Sequence, residues 1–442
     1  MTRVRLGRDY RRLFTASVVS NLGDGVGVVA YPWLASAVTR SPLLIALVAA
    51  ASRLPWLVFT LPAGVITDRV DRRRAMVAMD LVRGAITVVV AVVVLGGSDS
   101  LPDPDALDTV IGTQWGLYLA LVAATLLLGT AEVLRDNTAQ TILPDIVAAE
   151  HLERANGRMW SAEGVANTFV GPPLGALLIA AAFALPFVID AASFFVAAAL
   201  VALIPGTFRA TRPEGVEPAH WRVEMREGVR WLWRHDLLRS MAIILGLMNA
   251  AAAATGAAFV LFAQEVLGLG PTLFAVVGMG SAVGGIVAGA VAAWLSQRLG
   301  SGTCLALTLG GGAVVSLVFA FTSHWPVVFV LSGLTTLLGT LWNVITVSLR
   351  QTVIPAHLLG RVNSVYRFFA WGMIPIGAAL GGVLVVVLDA FTSREWALRS
   401  VWLFEAAMYA GLWVAGRSRL TTARLERARI EATQGAPGTV GA

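Results

Sequence analysis

Gly64-Val65-Ile66-Thr67-Asp68-Arg69-Val70-Asp71-Arg72-Arg73-Arg74 places a glycine, Asp68 and four arginines between two long apolar runs. The run before it, 41 to 66, and the run after it, 75 to 95, are each long enough for a helix that crosses a bilayer, which takes about 20 apolar residues. Two spans joined by so short a segment form a hairpin. Loops that keep their arginines stay on the cytoplasmic side, so the stretch predicts a tight turn inside the cell.

The rest of the composition points the same way. The 442 residues are 57% hydrophobic and 14% charged, with a mean hydropathy of +0.75, against about 25% charged residues in a soluble domain. The expected fold class is therefore an all-α polytopic membrane protein. All 33 basic residues are arginine; a P-loop needs Gly-Lys-Ser/Thr, so ATP hydrolysis by that route is excluded and an ion gradient or a partner must supply any energy. The net charge of +6 does not argue for nucleic acid, because the arginines sit in short loops where topology requires them. A single cysteine, Cys304, excludes an internal disulfide, and the five histidines show no metal-ligand spacing, so no metal or cofactor is expected. Arg3, Arg5, Arg8, Arg11 and Arg12 lead into an apolar run without a small-residue cleavage site, which reads as a retained first helix.

Apolar periodic runs predict twelve spans, at 12 to 36, 41 to 66, 75 to 97, 115 to 137, 161 to 182, 184 to 205, 240 to 264, 271 to 297, 302 to 322, 325 to 348, 364 to 388 and 397 to 416. Both termini then lie in the cytoplasm, with most of the 33 arginines on that side. Gln140-Thr141-Ile142-Leu143-Pro144 recurs as Gln351-Thr352-Val353-Ile354-Pro355, and Arg154-Ala155-Asn156-Gly157 as Arg361-Val362-Asn363-Ser364. The two halves are thus parallel repeats, two pseudo-symmetric six-helix bundles at 1–205 and 240–418. Before the fourth span the alignment shifts, pairing Asn21 with Asn249, and the acidic insert 98–114 accounts for the shift. That insert is expected to be a solvated loop outside the membrane. The linker 206–239 carries Arg222, Arg226, Arg230 and Arg234 on one helical stripe and Trp221, Met225, Val229 and Leu232 on another, a helix suited to anionic lipid headgroups. A basic cytoplasmic tail fills 419–442.

The stretch from Gly64 to Arg74 resembles the loop signature between the second and third helices of the major facilitator superfamily, with Asp71 where the second glycine usually stands. Ser20-Asn21-Leu22-Gly23-Asp24 and the segment 139–156 look most like the bacterial drug and siderophore exporter branch of that family. Gly171-Pro172-Pro173-Leu174-Gly175-Ala176 is similar to the core of its exporter motif, with Ala176 for the last glycine and Asn167 for the upstream one. The resemblance implies a cytoplasmic latch built on Gly64, Asp68, Arg69, Arg72 and Arg73 and reaching Arg367 or the helix start at Asn363 and Ser364. It also implies a bent, closely packed helix around Gly171, Pro172 and Gly175.

Charge within a span is costly and calls for an explanation. Asp24 and Arg53 fall at similar depth in the first two spans, which predicts an ion pair: either a static device that fixes helix packing, or a proton site that opens. The position equivalent to Asp24 in the second half is Ala252. Asn21, Tyr31, Trp56, Asn249, Trp342 and Trp371 are candidates to line a midplane cavity. Asp80 with Arg83, and Glu132 with Arg135 and Asp136, read as local pairs; Glu163 and Asp190 fall near span ends, and Glu405 has no evident partner. The function expected is alternating-access export of an amphipathic small molecule by a monomer in the cell membrane, with protons as the coupling ion. An uptake symporter or uniporter of the same fold, or a membrane assembly or signalling partner, remains the alternative. No constellation of nucleophile, base and cofactor loop supports an enzyme.

Overall fold

The structure is a computed structural model that describes residues 6–67, 70–97, 101–104, 106–148, 151–209, 221–355 and 358–434. Lipid offers the backbone no hydrogen-bond partners, so spanning segments satisfy their own amides and carbonyls as helices. Among the described residues, eleven helices are long and apolar enough to cross a membrane. Those of the first half are α1 (Arg8–Val38), α2 (Pro42–Thr67), α3 (Arg72–Gly96), α4 (Trp115–Ile146), the continuous run of α5 (Leu152–Gly164), a π-helical turn (Val165–Val170) and α6 (Gly171–Ala181), and α7 (Leu185–Ala202). After the amphipathic α8 (Trp221–Arg234) come α9 (Asp236–Glu265), α10 (Pro271–Leu299), α11 (Ser301–Phe321), α12 (Trp325–Val353) and α13 (Leu359–Asp389). A twelfth long helix, α14 (Arg394–Gly416), carries Arg394, Glu395, Arg399 and Glu405 and packs along α11; α15 (Thr422–Gln434) follows.

The chain forms two compact units, Met1–Glu214 with Ala257–Met279, and Gly215–Gly256 with Gly280–Ala442. In the first unit α1 packs on α6 and α7, α2 on α4, and α3 on both α4 and α7. The sequence of α3 shows why it takes the middle place. Met76, Asp80, Arg83, Thr87, Val90 and Val94 recur every three or four residues and are buried, whereas Leu81, Val82, Val88, Val89 and Val92 form an exposed apolar face. Charge is turned inward and hydrocarbon outward, as a lipid solvent requires.

Beyond the far end of α1 the insert is tied down. Trp33 Nε1 donates to the Pro104 carbonyl at 3.1 Å, Thr39 and Thr113 form an isolated β-bridge, and Leu107 is buried. Asp99 and Asp105 lie outside the described residues. At the same end Arg40 binds Gln264 and Glu265, and Gln264 donates to Ser36 Oγ at 2.9 Å.

The basic hairpin holds the opposite end of α3. Asp68 and Arg69 lie outside the described residues. Asp71 is the N-cap of α3: its carboxylate accepts the Arg74 N–H at 2.9 Å and the Phe208 N–H at 3.0 Å, while Phe208 returns its carbonyl to the Arg72 N–H. Arg72 donates to the Thr141 carbonyl and to Asp145 of α4, and Arg73 to the Ile204 carbonyl just beyond α7. A helix start and two helix ends are thereby joined by one tripeptide. Burial works against the Asp71 charge, but the two backbone N–H donors and the Arg73 and Arg74 cations outweigh it and hold its carboxyl below the usual carboxylate range.

In the second unit, glycines set the closest helix contacts. A Cβ on Gly377 of α13 would lie 2.1 Å from the Ala250 carbonyl oxygen of α9, and one on Gly284 of α10 would lie 2.0 Å from the Gly333 carbonyl oxygen of α12. The amphipathic α8 docks on α13: Leu232 is fully buried, Gly228 abuts the Arg361 backbone and Glu227 pairs with Arg361. The face it turns to protein therefore centres on Gly228 and Leu232, while Val229, expected among its apolar stripe, is exposed.

Two outcomes follow from this packing. Gly377→Val, which overfills the α9–α13 contact, lowers stability by about 1–3 kcal/mol, whereas Gly256→Ala, with open space around it, does not; thermal unfolding in detergent compares the two. Asp71→Ala costs about 1–2 kcal/mol through the lost cap. Because the folded carboxyl titrates below its unfolded value of about 3.9, that contribution is complete above pH 4 to 5 and vanishes as the pH falls through the folded value. The stability difference between wild type and variant, followed against pH, should close in acid and nowhere else.

Candidate functional site

The inward face of α3 meets charges from α1 and α4. Arg83 donates to Asp24 of α1 and, at 3.2 Å, to Ser20; it also lies 3.8 Å from Asp80, three residues back on its own helix. Asp80 is fully buried and stands 3.4 Å from Arg135 of α4, which also reaches Asp136 at 3.5 Å. The Arg83 guanidinium is seated 4.0 Å over the Phe194 ring of α7, which blocks its other face. Asp24, Arg83, Asp80, Arg135 and Asp136 thus form one chain of alternating charge through three helices. Glu132 of α4 lies within electrostatic range of Asp24, Asp136, Arg83 and Arg53.

This corrects the expected pairing of Asp24 with Arg53. The two helices are neighbours in sequence but share little packing: α2 is laid against α4 and α1 against α6 and α7. Arg53 consequently sits on an exposed position and feels Glu132, while Arg83 takes Asp24. Equal depth was legible in the sequence; the packing partner was not.

A second acidic position adjoins the network. Gly23 leaves room for Asp190 and Ser193 of α7, for a Cβ there would lie 2.3 Å from Asp190 Oδ1 and 2.2 Å from Ser193 Oγ. Asp190 is buried beside Ser193, and the Tyr31 hydroxyl and Thr87 Oγ1 lie together close by. Tyr31 is braced edge-on against Phe187 at 5.2 Å. Sequence reasoning placed Asp190 near a span end. The better signal was its position five residues into the apolar run that begins at Leu185, among Phe187, Val188 and Ile189.

The Gly-Pro segment fixes the opposite side of α1. Asn167 donates to Asn21 Oδ1 at 3.1 Å from within the π-helical turn, and a Cβ on Gly171 or Gly175 would lie 2.5 Å from the backbone of Gly25 or Val26. The π-turn supplies the bend, and Pro172 sits in the first turn of α6, where its missing N–H is harmless. The arrangement recurs in the second unit. Asn249 of α9 donates to the Ala370 carbonyl of α13 at 2.7 Å, and Gly377 and Gly381 close on Ala250 and Ala254.

The remaining candidates separate. Trp56 is half-buried on α2, and Trp371 is exposed on α13. Trp342, expected to line a cavity, is fully buried in the second unit's core with Leu341, Ile345 and Tyr366, because its face of α12 points inward. Arg367 is exposed, whereas Arg350 is packed 3.9 Å over the Tyr366 ring. Glu405 is buried and accepts the Ser316 hydroxyl at 3.0 Å. Among the described residues no group of three His, Cys, Asp or Glu side chains is placed to hold a metal.

The family model described as "Major Facilitator Superfamily" matches residues 13–378. The multidrug efflux pump Tap of Mycobacterium tuberculosis is 30% identical over 386 residues, 84% of this chain and 85% of the relative. The enterobactin exporter EntS of Shigella boydii is 25% identical over 394 residues, 87% of each. Among solved structures, the nucleoside transporter NupG matches with a TM-score of 0.69 at 12% identity, covering 94% of this chain and all of that one. A bacterial homologue of the iron transporter ferroportin matches with a TM-score of 0.66 at 15% identity, covering 93% and 100%.

The ion network should behave as one unit in unfolding. Removing one partner leaves an unpaired buried charge, so Arg83→Gln is expected to cost about 3–5 kcal/mol. The double variant Asp24→Asn/Arg83→Gln should regain part of that loss. A double-mutant cycle on detergent unfolding midpoints measures the coupling, and additive losses would contradict it.

Proposed function

The chain belongs to the Major Facilitator Superfamily, and we propose that within it this protein is a proton-coupled antiporter that exports an amphipathic small molecule. It is a multi-pass membrane transporter, not an enzyme. The export reading is supported by its likeness to the efflux pump Tap and the exporter EntS; the substrate would be a drug, a macrolide-like compound or a siderophore. The observation that carries proton coupling is the composition of the buried network. Asp24, Asp80, Glu132 and Asp136 meet Arg83 and Arg135, with Arg53 near Glu132, so carboxylates outnumber guanidiniums in a region where Asp80 is fully buried and the other three acids are partly buried. A surplus of acid in such a place is most cheaply balanced by protons, and alternating exposure to the two sides would load and release them.

In this reading Asp24 is the proton site, and Arg83, in place of Arg53, reports its state: protonation of Asp24 frees the guanidinium to turn to Asp80. Asp190 and Tyr31 offer the next acceptors. The arginine bias supports a cytoplasmic position for both termini of this cell-membrane protein. The Asp68 latch, with Gly64, Arg69 and Arg367, is carried over from the family likeness, and the protein is taken to act as a monomer. An uptake symporter would use the same network, but the close helix contact at Gly171 and Gly175 favours the exporter branch.

Proteoliposomes with an imposed pH gradient and a fluorescent amphipathic dye test this. Dye should move against the proton flux, and a collapsed gradient should stop it. Asp24→Asn should bind the dye yet show only the flux of empty liposomes. Gradient-driven transport that survives in Asp24→Asn, or dye that travels with the protons, would defeat the assignment.

A further inference from the structure

The second unit contains a cavity of about 690 Å³ that the transport reading leaves unused. The end of α8 and the start of α9 form one wall with Arg234, His235 and Arg239; Arg419, before α15, and Arg424 and Arg427 on that helix form the other. Five guanidiniums therefore face two carboxylates, Asp236 and Glu431, and Asp236 is already bound by Arg239 at 2.7 Å. Among the described residues no carboxylate pairs with Arg234, Arg419, Arg424 or Arg427. Such a concentration of like charge is unfavourable unless an anion joins it.

The walls are fixed. The Thr422 hydroxyl, in the first turn of α15, accepts the Gly302 N–H at 3.1 Å, and a Cβ on Gly302 would lie 2.1 Å from the Thr422 nitrogen, so the tail lies directly on the start of α11. Leu420 and Leu425 are buried in the same core as Cys304 and Leu305. Across the cavity His235 Nδ1 accepts the Leu238 N–H at 3.4 Å, which puts the proton of the neutral ring on Nε2 as a donor. Burial lowers the His235 pKa below its ordinary value and so favours that neutral form. The N-terminus of the 30-residue α9 opens onto the cavity, adding the positive end of its dipole.

We propose that this cavity is a phosphate-binding site formed by the linker helix, the start of α9 and the basic tail. Guanidiniums donate in forks that match phosphate oxygens, and one phosphate can accept from several arginines at once, whereas a single carboxylate saturates one or two. The volume falls in the range of about 300–1,000 Å³ typical of small-molecule sites, enough for a headgroup with its glycerol or for a diphosphate. The phosphate could belong to a phospholipid headgroup or to a soluble compound. In either case the occupant joins the tail to α9, and the basic tail becomes part of a site instead of a solvated end.

Equilibrium binding to the purified full-length protein decides this, read by native mass spectrometry and by ligand-induced thermal shift. The probes are short-chain phosphatidylglycerol, inorganic pyrophosphate and citrate. Saturable phosphatidylglycerol binding that pyrophosphate does not displace identifies the lipid source; saturable pyrophosphate binding that displaces the lipid identifies the soluble one. Either must weaken roughly tenfold or more in Arg419→Gln/Arg424→Gln/Arg427→Gln, since each loses a charge-assisted hydrogen bond, and must be unchanged in Arg298→Gln, whose side chain lies over Trp294 outside the cavity. The replaced side chains are exposed, and the single variant Arg424→Gln shows the same direction should the triple variant unfold. No saturable binding by either phosphate probe, equal binding by the triple variant, or citrate binding as tightly as both would overturn the site.

Discussion

A charge inside a membrane protein must find its counter-charge within the protein, and the first unit is built on that constraint. Asp24, Arg83, Asp80 and Arg135 pair in charge across α1, α3 and α4, and Phe194 closes the remaining face of Arg83. α3 lies against both α4 and α7, and the stripe it buries there carries an acid and a base three residues apart, Asp80 and Arg83. The exposed stripe of the same helix is pure hydrocarbon, so its rotation is fixed twice over, by what must be hidden from lipid and by what must be shown to it.

The second constraint is distance. Asn21 with Asn167, and Asn249 with the Ala370 carbonyl, join the first and fifth long helices of each repeat through an asparagine. Beside each asparagine a pair of glycines four residues apart brings backbone against backbone: Gly171 and Gly175 on α1, Gly377 and Gly381 on α9. Side chains that interdigitate can slide by changing rotamers. Backbones in direct contact cannot, so these two helix pairs move as pairs, and any conformational change must be taken up at other contacts.

How much of this the sequence disclosed depends on what each feature answers to. The spans were legible because lipid reads hydropathy directly, and the basic hairpin because topology counts arginines. The role of Asp71 was hidden: it stands where the family signature usually has a glycine, yet its carboxylate caps α3 and binds Phe208, a residue 137 positions away. Arg83 was read as a local partner of Asp80, for spacing reveals neighbours on one helix and is silent on which helix lies opposite. Trp342 had the composition of a cavity-lining residue, but the rotation of α12 turns it into the core. Each of these depends on contacts between segments far apart in the chain, and one sequence carries no direct record of them.

The two units also treat buried acid differently, and the difference bears on which of them can respond to a proton. Glu405 lies between the closely packed α11 and α14, and its partner is the Ser316 hydroxyl. A hydroxyl can accept as readily as it donates, so protonation at Glu405 reverses one hydrogen bond without releasing a charge. At Asp24 the partner is a guanidinium that cannot give up its proton and has a second carboxylate, Asp80, within 3.8 Å. Neutralising Asp24 therefore shifts the balance of an entire chain of ions through to Arg135 and Asp136, and with it the contact between α1 and α3. The equivalent position in the second half is Ala252, which carries no charge. The repeat supplies two similar scaffolds, and their buried charge is divided unequally between them.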